Sequence, residues 1–264
     1  MGPRSGSPVT RREALRTLAT DVAALCVAPT LLGCVSSTGE AEADPALGRL
    51  QARYAPATES ISPGMHPLGL RNQRDGVLYV PPQYRPDQPV PLLLVLHGAG
   101  GSGQGIAQRF KAYADELGIA FVAPDSADVT WDRIDRLVTD VRFIDRALAT
   151  AYRRINTLPG SPGVAGFSDG ASYALALGLT NGDLFRRILA MSPGFCTPAQ
   201  EHGKPAIYVT HGTRDEILPI GICSRTIVPA LRRDGYAVQY QEFDGGHETP
   251  SSICHPAFEW LVRA

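Results

Sequence analysis

The sequence predicts one α/β domain built on a doubly wound, mostly parallel sheet, and three observations lead to this fold class. From Gly69 onward, short apolar runs alternate with longer amphipathic segments. Several runs are almost continuously apolar, as in LLLVL at residues 92–96, which is typical of strands covered on both faces. No internal repeat interrupts the alternation, and strands that alternate with helices form parallel sheets.

Each apolar run predicts a strand and each amphipathic segment a helix. The strands are predicted at residues 77–80, 91–96, 119–123, 163–166, 187–191, 206–210 and 238–242. The helices are predicted at residues 105–117, 132–153, 169–180, 222–234 and 251–263. The connections are short, so no separate cap domain is expected. Functional residues in such sheets gather on the loops beyond the strand carboxyl ends, and we expect the chemistry there.

The N-terminal segment resembles a targeting signal rather than a part of the folded domain. Arg11 and Arg12 form a twin-arginine pair, a modestly apolar run follows over residues 18–32, and LLGC at residues 31–34 resembles a lipoprotein processing site. We therefore expect residues 1–34 to direct export, giving either a secreted or periplasmic protein or one held at the cell envelope by acylation of Cys34. The run is too short and interrupted for a permanent membrane span.

Composition predicts where the folded domain begins and which class of partner is excluded. Residues 35–68 are rich in small and polar side chains, which predicts a flexible tether before a catalytic domain at 69–264. The formal net charge of −1 argues against nucleic acid as a partner.

Beyond the signal, Cys196, Cys223 and Cys254 allow at most one disulfide between them, whose partners the spacing does not determine. No cluster of residues has metal-ligand spacing, and no cofactor is expected.

A candidate nucleophile follows the predicted strand at 163–166. Residues 166–170 read GFSDG, a G-x-S-x-G motif with Ser168 at its centre, and a helix rich in Ala and Leu follows. A sharp strand-to-helix turn exposes the serine hydroxyl, and glycines on either side leave room for that turn. The motif alone is weak, since Ser168 could be an ordinary helix N-cap; its place between a strand and a helix strengthens it.

A glycine-rich loop, HGAGGSG at residues 97–103, follows the strand at 91–96. Backbone N–H groups in such a loop can stabilise an oxyanion. We expect those donors from Ala99 and from Asp169, with Gly100 as the substitute for Ala99. A phosphate-binding loop is the rival interpretation, but the Walker lysine is absent.

A base and an orienting acid are expected after the serine, in that order Ser, Asp, His. Asp215 lies in HGTRDEILP after the strand at 206–210, and His247 lies in FDGGHETP after the strand at 238–242. Three rival bases, His97, His211 and His255, remain open, as do Glu216 and Asp244 as rival acids.

Taken together, HGAGG, AGFSDGASYAL, HGTRDEILP and FDGGHETP resemble the α/β-hydrolase esterases, in particular the phospholipase/carboxylesterase and polyhydroxybutyrate-depolymerase-like group. The resemblance covers roughly residues 76–261. It implies Ser168, Asp215 and His247 as a catalytic triad, with Ala99 and Asp169 as oxyanion donors. The thioesterase branch usually has Gln after the nucleophile, where this chain has Asp169, so the substrate stays open.

These motifs predict a serine hydrolase that cleaves small or extended carboxylic esters, small-molecule or polymeric, through an acyl-enzyme. Trp131, in the loop after the strand at 119–123, either lines the substrate pocket or is an ordinary core or surface residue. Two other functions stay open: a non-catalytic ligand-binding surface lipoprotein on the same fold, and a serine peptidase.

Overall fold

A computed structural model describes residues 47–134, 138–160 and 162–262. Its eight strands are β1 (Gly64–Pro67), β2 (Gly76–Val80), β3 (Leu92–Leu96), β4 (Ala120–Pro124), β5 (Gly163–Phe167), β6 (Arg187–Met191), β7 (Ala206–Gly212) and β8 (Val238–Phe243). The five helices are α1 (Gly103–Leu117), α2 (Thr139–Arg154), α3 (Asp169–Thr180), α4 (Ser224–Arg233) and α5 (Ser251–Val262).

The strands form one sheet in the order β1-β2-β4-β3-β5-β6-β7-β8. From β4 to β8 all pairings are parallel, while β1 and β2 are antiparallel at one edge. Helices α2, α3 and α4 contribute to the core on one face, and α1 and α5 to the core on the other. The predicted doubly wound, mostly parallel sheet is therefore confirmed.

Strand β3 shows why the apolar runs predicted this architecture. Leu92, Leu94 and Leu96 belong to one core, whereas Leu93 and Val95 belong to the core on the opposite face. All five side chains are buried, since a strand covered by helices on both faces has no polar side. The chain leaves β3 and β5 at the same carboxyl edge, which brings the loop after β3 beside the start of α3.

The prediction of a flexible tether over residues 35–68 was wrong for the part that the structure describes, from residue 47. Strand β1 pairs with β2, although its sequence GMHP has no apolar run. Leu50 is buried, its N–H donates to Asn181 Oδ1 at 2.8 Å, and Arg49 forms an ion pair with Asp183. The folded part therefore begins well before Gly69, because backbone pairing and a few polar contacts fix a segment of unremarkable composition. Residues 35–46 and the predicted signal at 1–34, with Cys34, lie outside the described residues.

The second helix begins later than predicted, at Thr139 rather than at residue 132. Asp132 lies before it in non-helical backbone and exchanges hydrogen bonds with Asp140: the Asp132 N–H donates to Asp140 Oδ2 at 2.9 Å, and the Asp140 N–H to Asp132 Oδ2 at 3.0 Å. These side-chain contacts satisfy backbone groups that a longer helix would otherwise pair.

No disulfide joins any two of Cys196, Cys223 and Cys254 in the described part of the chain. Among those same residues, no helix combines the length and the apolar character that a membrane span requires.

Candidate active site

Ser168 lies at the sharp turn between β5 and α3. Its backbone has φ 60° and ψ −122°, a region that a non-glycine residue occupies only under strain. Both glycines of the motif are required by space. A Cβ on Gly166 would lie 2.0 Å from the carbonyl oxygen of Gly170, and one on Gly170 would lie 2.4 Å from the carbonyl oxygens of Leu96 and His97. The packing of the turn against β3 therefore explains the motif and presents Ser168 at the carboxyl edge of the sheet.

The structure brings together the three side chains that the sequence predicts as a triad. His247 Nε2 lies 2.8 Å from Ser168 Oγ, and His247 Nδ1 lies 2.7 Å from Asp215 Oδ2. An ionised carboxylate only accepts hydrogen bonds, so the imidazole proton resides on Nδ1. Nε2 is then the acceptor for the serine hydroxyl, which is the arrangement that a general base requires.

Asp215 is held by more than His247. Its Oδ1 accepts from the N–H groups of Ile217 and Leu218 at 2.9 and 2.8 Å, and Oδ2 lies 3.2 Å from His211 Nε2. Burial alone would raise the pKa of this carboxyl, but the hydrogen bonds from His211, His247 and the Leu218 N–H outweigh it and hold the pKa well below its usual value. Asp215 therefore stays ionised wherever the imidazole needs a partner.

The rival bases and acids lie elsewhere. His211 is buried behind Asp215, with Nδ1 2.6 Å from Ser224 Oγ, so its position supports the acid and does not reach Ser168. His97 Nε2 accepts from the Ser126 N–H at 3.0 Å. His255 pairs with Glu116 on the surface, 2.9 Å away.

Neither alternative acid contacts the imidazole. Glu216 is exposed, and Asp244 is exposed and paired with Arg214. Asp215 is thus the carboxylate that the structure places beside His247.

The glycine-rich loop after β3 lies against the serine. A Cβ on Gly98 would be 3.2 Å from Ser168 Cβ. The N–H of Gly100 donates to Val129 O at 2.7 Å, so Gly100 is already engaged and cannot substitute for Ala99 without breaking that bond. Within the described loops, the N–H groups of Ala99 and Asp169 make no such backbone bond. Both lie on segments adjoining Ser168, where a bound oxyanion could accept from them.

Trp131 does not line the cleft, so the prediction that it contacts substrate is wrong. The alternative, that Trp131 is an ordinary core residue, is correct. The indole is buried and stacks on Tyr173, with ring centroids 5.2 Å apart. Its Nε1–H donates to His97 O at 2.8 Å, and its backbone N–H donates to Asp169 Oδ2 at 2.9 Å. Trp131 therefore ties the glycine-rich loop to the turn that carries the serine. Burial raises the pKa of the Asp169 carboxyl to about 7.

A cleft of about 320 Å³ opens above the serine. Twelve residues line it: Ser168, His247, Phe167, Ile106, Arg109, Gly105 and the loop residues 97–102. Sequence reasoning missed four of them as site residues: Gly105, Ile106, Arg109 and Phe167. The Phe167 ring lies against the imidazole of His247 at an interplanar angle of 35°, with ring centroids 4.8 Å apart. Arg109 extends from α1 over the Phe167 ring. Within the described ranges, no group of three or more His, Cys, Asp or Glu side chains could hold a metal ion.

Comparison with known sequences finds relatives among fungal esterases. Feruloyl esterase C from Emericella nidulans is 29% identical over 157 residues, which are 56% of this chain and 57% of that protein. A probable feruloyl esterase C from Aspergillus niger is 26% identical over 168 residues, 61% of this chain and 60% of that protein. The chain thus spans little more than half the length of these curated relatives. No family profile matches it.

Three of the solved structures that share this fold are named as esterases. Esterase PE8 superposes with a TM-score of 0.57 at 22% identity, covering 76% of this chain and 98% of that one. A CE1 ferulic acid esterase from Anaeromyces mucronatus gives a TM-score of 0.54 at 16% identity, covering 71% and 84%. A truncated carbohydrate esterase from gut microbiota gives 0.59 at 14% identity, covering 80% and 98%. The fold of this chain is therefore the α/β-hydrolase fold, as its motifs predicted.

Proposed function

We propose that the protein is a serine ester hydrolase with Ser168 as nucleophile, His247 as general base and Asp215 as the acid that orients the imidazole. One observation carries the proposal: the continuous chain from Ser168 Oγ to His247 Nε2 at 2.8 Å and from His247 Nδ1 to Asp215 Oδ2 at 2.7 Å. The esterase relatives support the same reaction class.

The reaction proceeds in two halves. His247 takes the hydroxyl proton as Ser168 Oγ attacks the ester carbonyl, and the Asp215 carboxylate stabilises the imidazolium that forms. The tetrahedral intermediate collapses when His247 gives that proton to the departing alkoxide, which leaves the acyl group on Ser168. Water then attacks the acyl-enzyme with His247 again as base, and the carboxylic acid is released.

Charge develops on the carbonyl oxygen in each half. The N–H groups of Ala99 and Asp169 are the proposed donors, and one such donor contributes roughly 3–4 kcal/mol to the transition state. The Gly100 bond to Val129 and the Trp131 bond to His97 hold the loop in place, so these donors need no rearrangement as the charge appears.

The cleft suits an ester of modest size. Its volume of about 320 Å³ is at the lower end for small-molecule sites, and its walls are a glycine loop, Ile106 and Phe167. Because two relatives are named feruloyl esterases, a feruloyl ester is the first natural-type substrate to test beside short-chain esters and polyhydroxybutyrate.

Hydrolysis of p-nitrophenyl acetate, methyl ferulate and an aminoacyl anilide by the wild type and by Ser168→Ala tests the proposal. We expect ester hydrolysis with loss of at least about a thousandfold in kcat for Ser168→Ala, and no loss for the matched Ser252→Ala on the exposed start of α5. Esterase activity that survives in Ser168→Ala would contradict it. Hydrolysis of the anilide alone would favour a peptidase, and no hydrolysis at all would favour a ligand-binding protein.

We also propose that residues 1–34 direct export and that Cys34 is acylated, on the strength of the twin arginines and the LLGC sequence. Expression in a bacterium with radiolabelled palmitate tests both steps. Label should enter the wild type and be lost in Cys34→Ser, and replacement of both Arg11 and Arg12 by Lys should leave the protein in the cytoplasm. Label that still enters Cys34→Ser would contradict acylation at Cys34. Unchanged export of the variant with both arginines replaced would contradict the proposed export signal.

A further inference from the structure

Among the described residues that line the cleft, Arg109 is the one arginine or lysine. It is exposed on α1, its guanidinium carbon lies 5.4 Å from the centroid of the Phe167 ring, and Nη1 donates to Thr249 Oγ1 at 3.2 Å. Both contacts are with neutral groups. They fix the direction of the side chain along the cleft wall and leave its charge uncompensated.

Several other arginines, by contrast, pair with a carboxylate. Arg225 pairs with Glu242 at 2.7 Å, and Arg49 with Asp183 at 2.8 Å. For Arg109, no Asp or Glu of the described residues lies within ion-pair distance. An exposed guanidinium that lines the cleft beside the nucleophile and meets only neutral groups marks a place where a ligand can supply the anion.

In the part of the chain that the structure describes, the remaining cleft wall carries no carboxylate. Its other titratable groups are His97 and His247. Burial lowers the pKa of His97, which keeps that imidazole neutral. Asp215 and Asp169, the nearest carboxyls in the site, are not among the lining residues and are engaged by the hydrogen bonds described above. Of the cleft-lining residues that the structure describes, Arg109 therefore carries the one permanent charge.

The position of Arg109 relative to His247 indicates which half of an ester it meets. Both groups lie on the Phe167 ring, the imidazole centroid at 4.8 Å and the guanidinium carbon at 5.4 Å. The imidazole of His247 and the guanidinium of Arg109 therefore lie within roughly 10 Å of each other, which is about one Debye length at 0.1 M salt. His247 must protonate the departing oxygen, so the alcohol half of the ester extends past His247, toward the ring and Arg109.

We infer that Arg109 is a specificity-determining residue that selects esters whose alcohol part carries a carboxylate. The inference rests on the proposed ester hydrolysis at Ser168 and deepens it. The ester carbon binds at Ser168, the acyl oxygen faces Ala99 and Asp169, and the carboxylate of the alcohol part pairs with the guanidinium of Arg109.

A matched pair of aryl acetates tests this selection: 4-acetoxybenzoate, whose alcohol part is anionic, and its neutral methyl ester. The measured quantity is the ratio of kcat/KM for the anionic ester to that for the neutral ester. Comparing this ratio between enzymes cancels the difference in intrinsic reactivity. Wild type, Arg109→Gln, Arg109→Lys and, as a control of equal charge change, Arg233→Gln at the exposed end of α4 are compared.

We expect the ratio to fall about three- to tenfold in Arg109→Gln, as for the loss of one hydrogen-bonded charge pair. It should stay mostly intact in Arg109→Lys and be unchanged in Arg233→Gln. In the wild type it should decrease as salt rises from 0.02 to 0.5 M. An equal ratio in wild type and Arg109→Gln would overturn the inference, as would a preference that appears only for an anionic acyl half, as in mono-p-nitrophenyl succinate.

Binding separates this inference from the proposed reaction. If the wild type hydrolysed neither ester, the proposed function would fail, and NMR titration of Ser168→Ala with 4-hydroxybenzoate and with its methyl ester would still report on Arg109. The inference is supported if Ser168→Ala binds 4-hydroxybenzoate more tightly than its methyl ester and if the double variant with Arg109→Gln loses this difference. Equal binding of the two compounds overturns it.

Discussion

Asp215 Oδ2 lies within hydrogen-bond range of two imidazoles, and only one of them reaches the serine. His247 lies 2.7 Å from this oxygen and His211 3.2 Å, while His211 Nε2 also lies 2.8 Å from Leu218 O. A proton on His211 Nε2 serves both acceptors. His211 is thus a positioning residue that acts through Asp215, whereas His247 touches the reacting oxygen.

Replacing His211 tests this division at the residue scale. His211→Leu removes the donor, so Asp215 holds His247 less well, and kcat should fall about tenfold with KM little changed, which corresponds to about 1.4 kcal/mol. His211→Gln can keep a donor near Nε2 and should retain most of the activity. Steady-state kinetics on p-nitrophenyl acetate measure both. Equal activity of Leu variant and wild type, or an effect confined to KM, would contradict the positioning role.

At the scale of elements, the site depends on how closely α3 can begin beside β3. The turn between β5 and α3 leaves no space for a methyl group at either glycine of the GFSDG motif. Trp131, from the loop after β4, adds two hydrogen bonds across the same contact. Three loops are therefore locked together before a substrate arrives, which is the preorganisation that oxyanion stabilisation requires.

Gly166→Ala tests this packing. The added Cβ would lie 2.0 Å from the Gly170 carbonyl oxygen, a contact that only backbone movement can relieve. We expect a loss of about 3 kcal/mol or more in the free energy of unfolding together with loss of activity. Gly221→Ala is the matched control, because a Cβ there meets nothing within 4 Å, and it should change stability by less than about 0.5 kcal/mol. Urea denaturation compares them; equal stability of the two variants would contradict the account.

At the scale of the whole molecule, acidic side chains lie in the core behind the glycine-rich loop. Burial raises the pKa of Asp169 to about 7 and that of Asp140 to about 6. In the unfolded chain both ionise near their ordinary values, around pH 4. These two carboxyls therefore bind more protons in the folded protein than in the unfolded chain between about pH 4 and pH 7, and their contribution to the free energy of unfolding falls as pH rises through that window.

Asp169→Asn should remove part of this pH dependence, because the amide keeps an acceptor for the Trp131 N–H and cannot ionise. Urea denaturation at pH 5 and at pH 8 measures the loss of stability between the two conditions. The loss should be smaller in the variant than in wild type by on the order of 1–3 kcal/mol. Titration of other groups is common to both proteins and cancels. Identical losses would show that Asp169 does not ionise across this range.

The parts of the molecule that sequence predicted are those that local pattern determines. Buried strands such as β3 need apolar side chains on both faces, and the loops carrying Ser168 and Asp215 each follow such a strand. His247 follows β8, a partly exposed edge strand. Strand β1 had no comparable pattern, because pairing with β2 depends on backbone groups that every sequence has. A prediction from residue spacing could not reach it.

Side chains whose role depends on a distant neighbour were also beyond the sequence. An exposed arginine on α1 acquires meaning only when that helix lies beside Phe167, and Trp131 could be placed under the glycine loop only once His97 and Asp169 were near it. The start of α2 was misjudged for a similar reason, since the exchange of hydrogen bonds between Asp132 and Asp140 competes with helix.

Mass spectrometry of the protein mixed with a short p-nitrophenyl ester and quenched in acid within milliseconds tests the central claim most directly. An acyl-enzyme at Ser168 predicts added mass equal to the acyl group on the peptide that spans residue 168, and none in Ser168→Ala. Absence of any adduct during turnover, or an adduct on a different residue, would contradict the account.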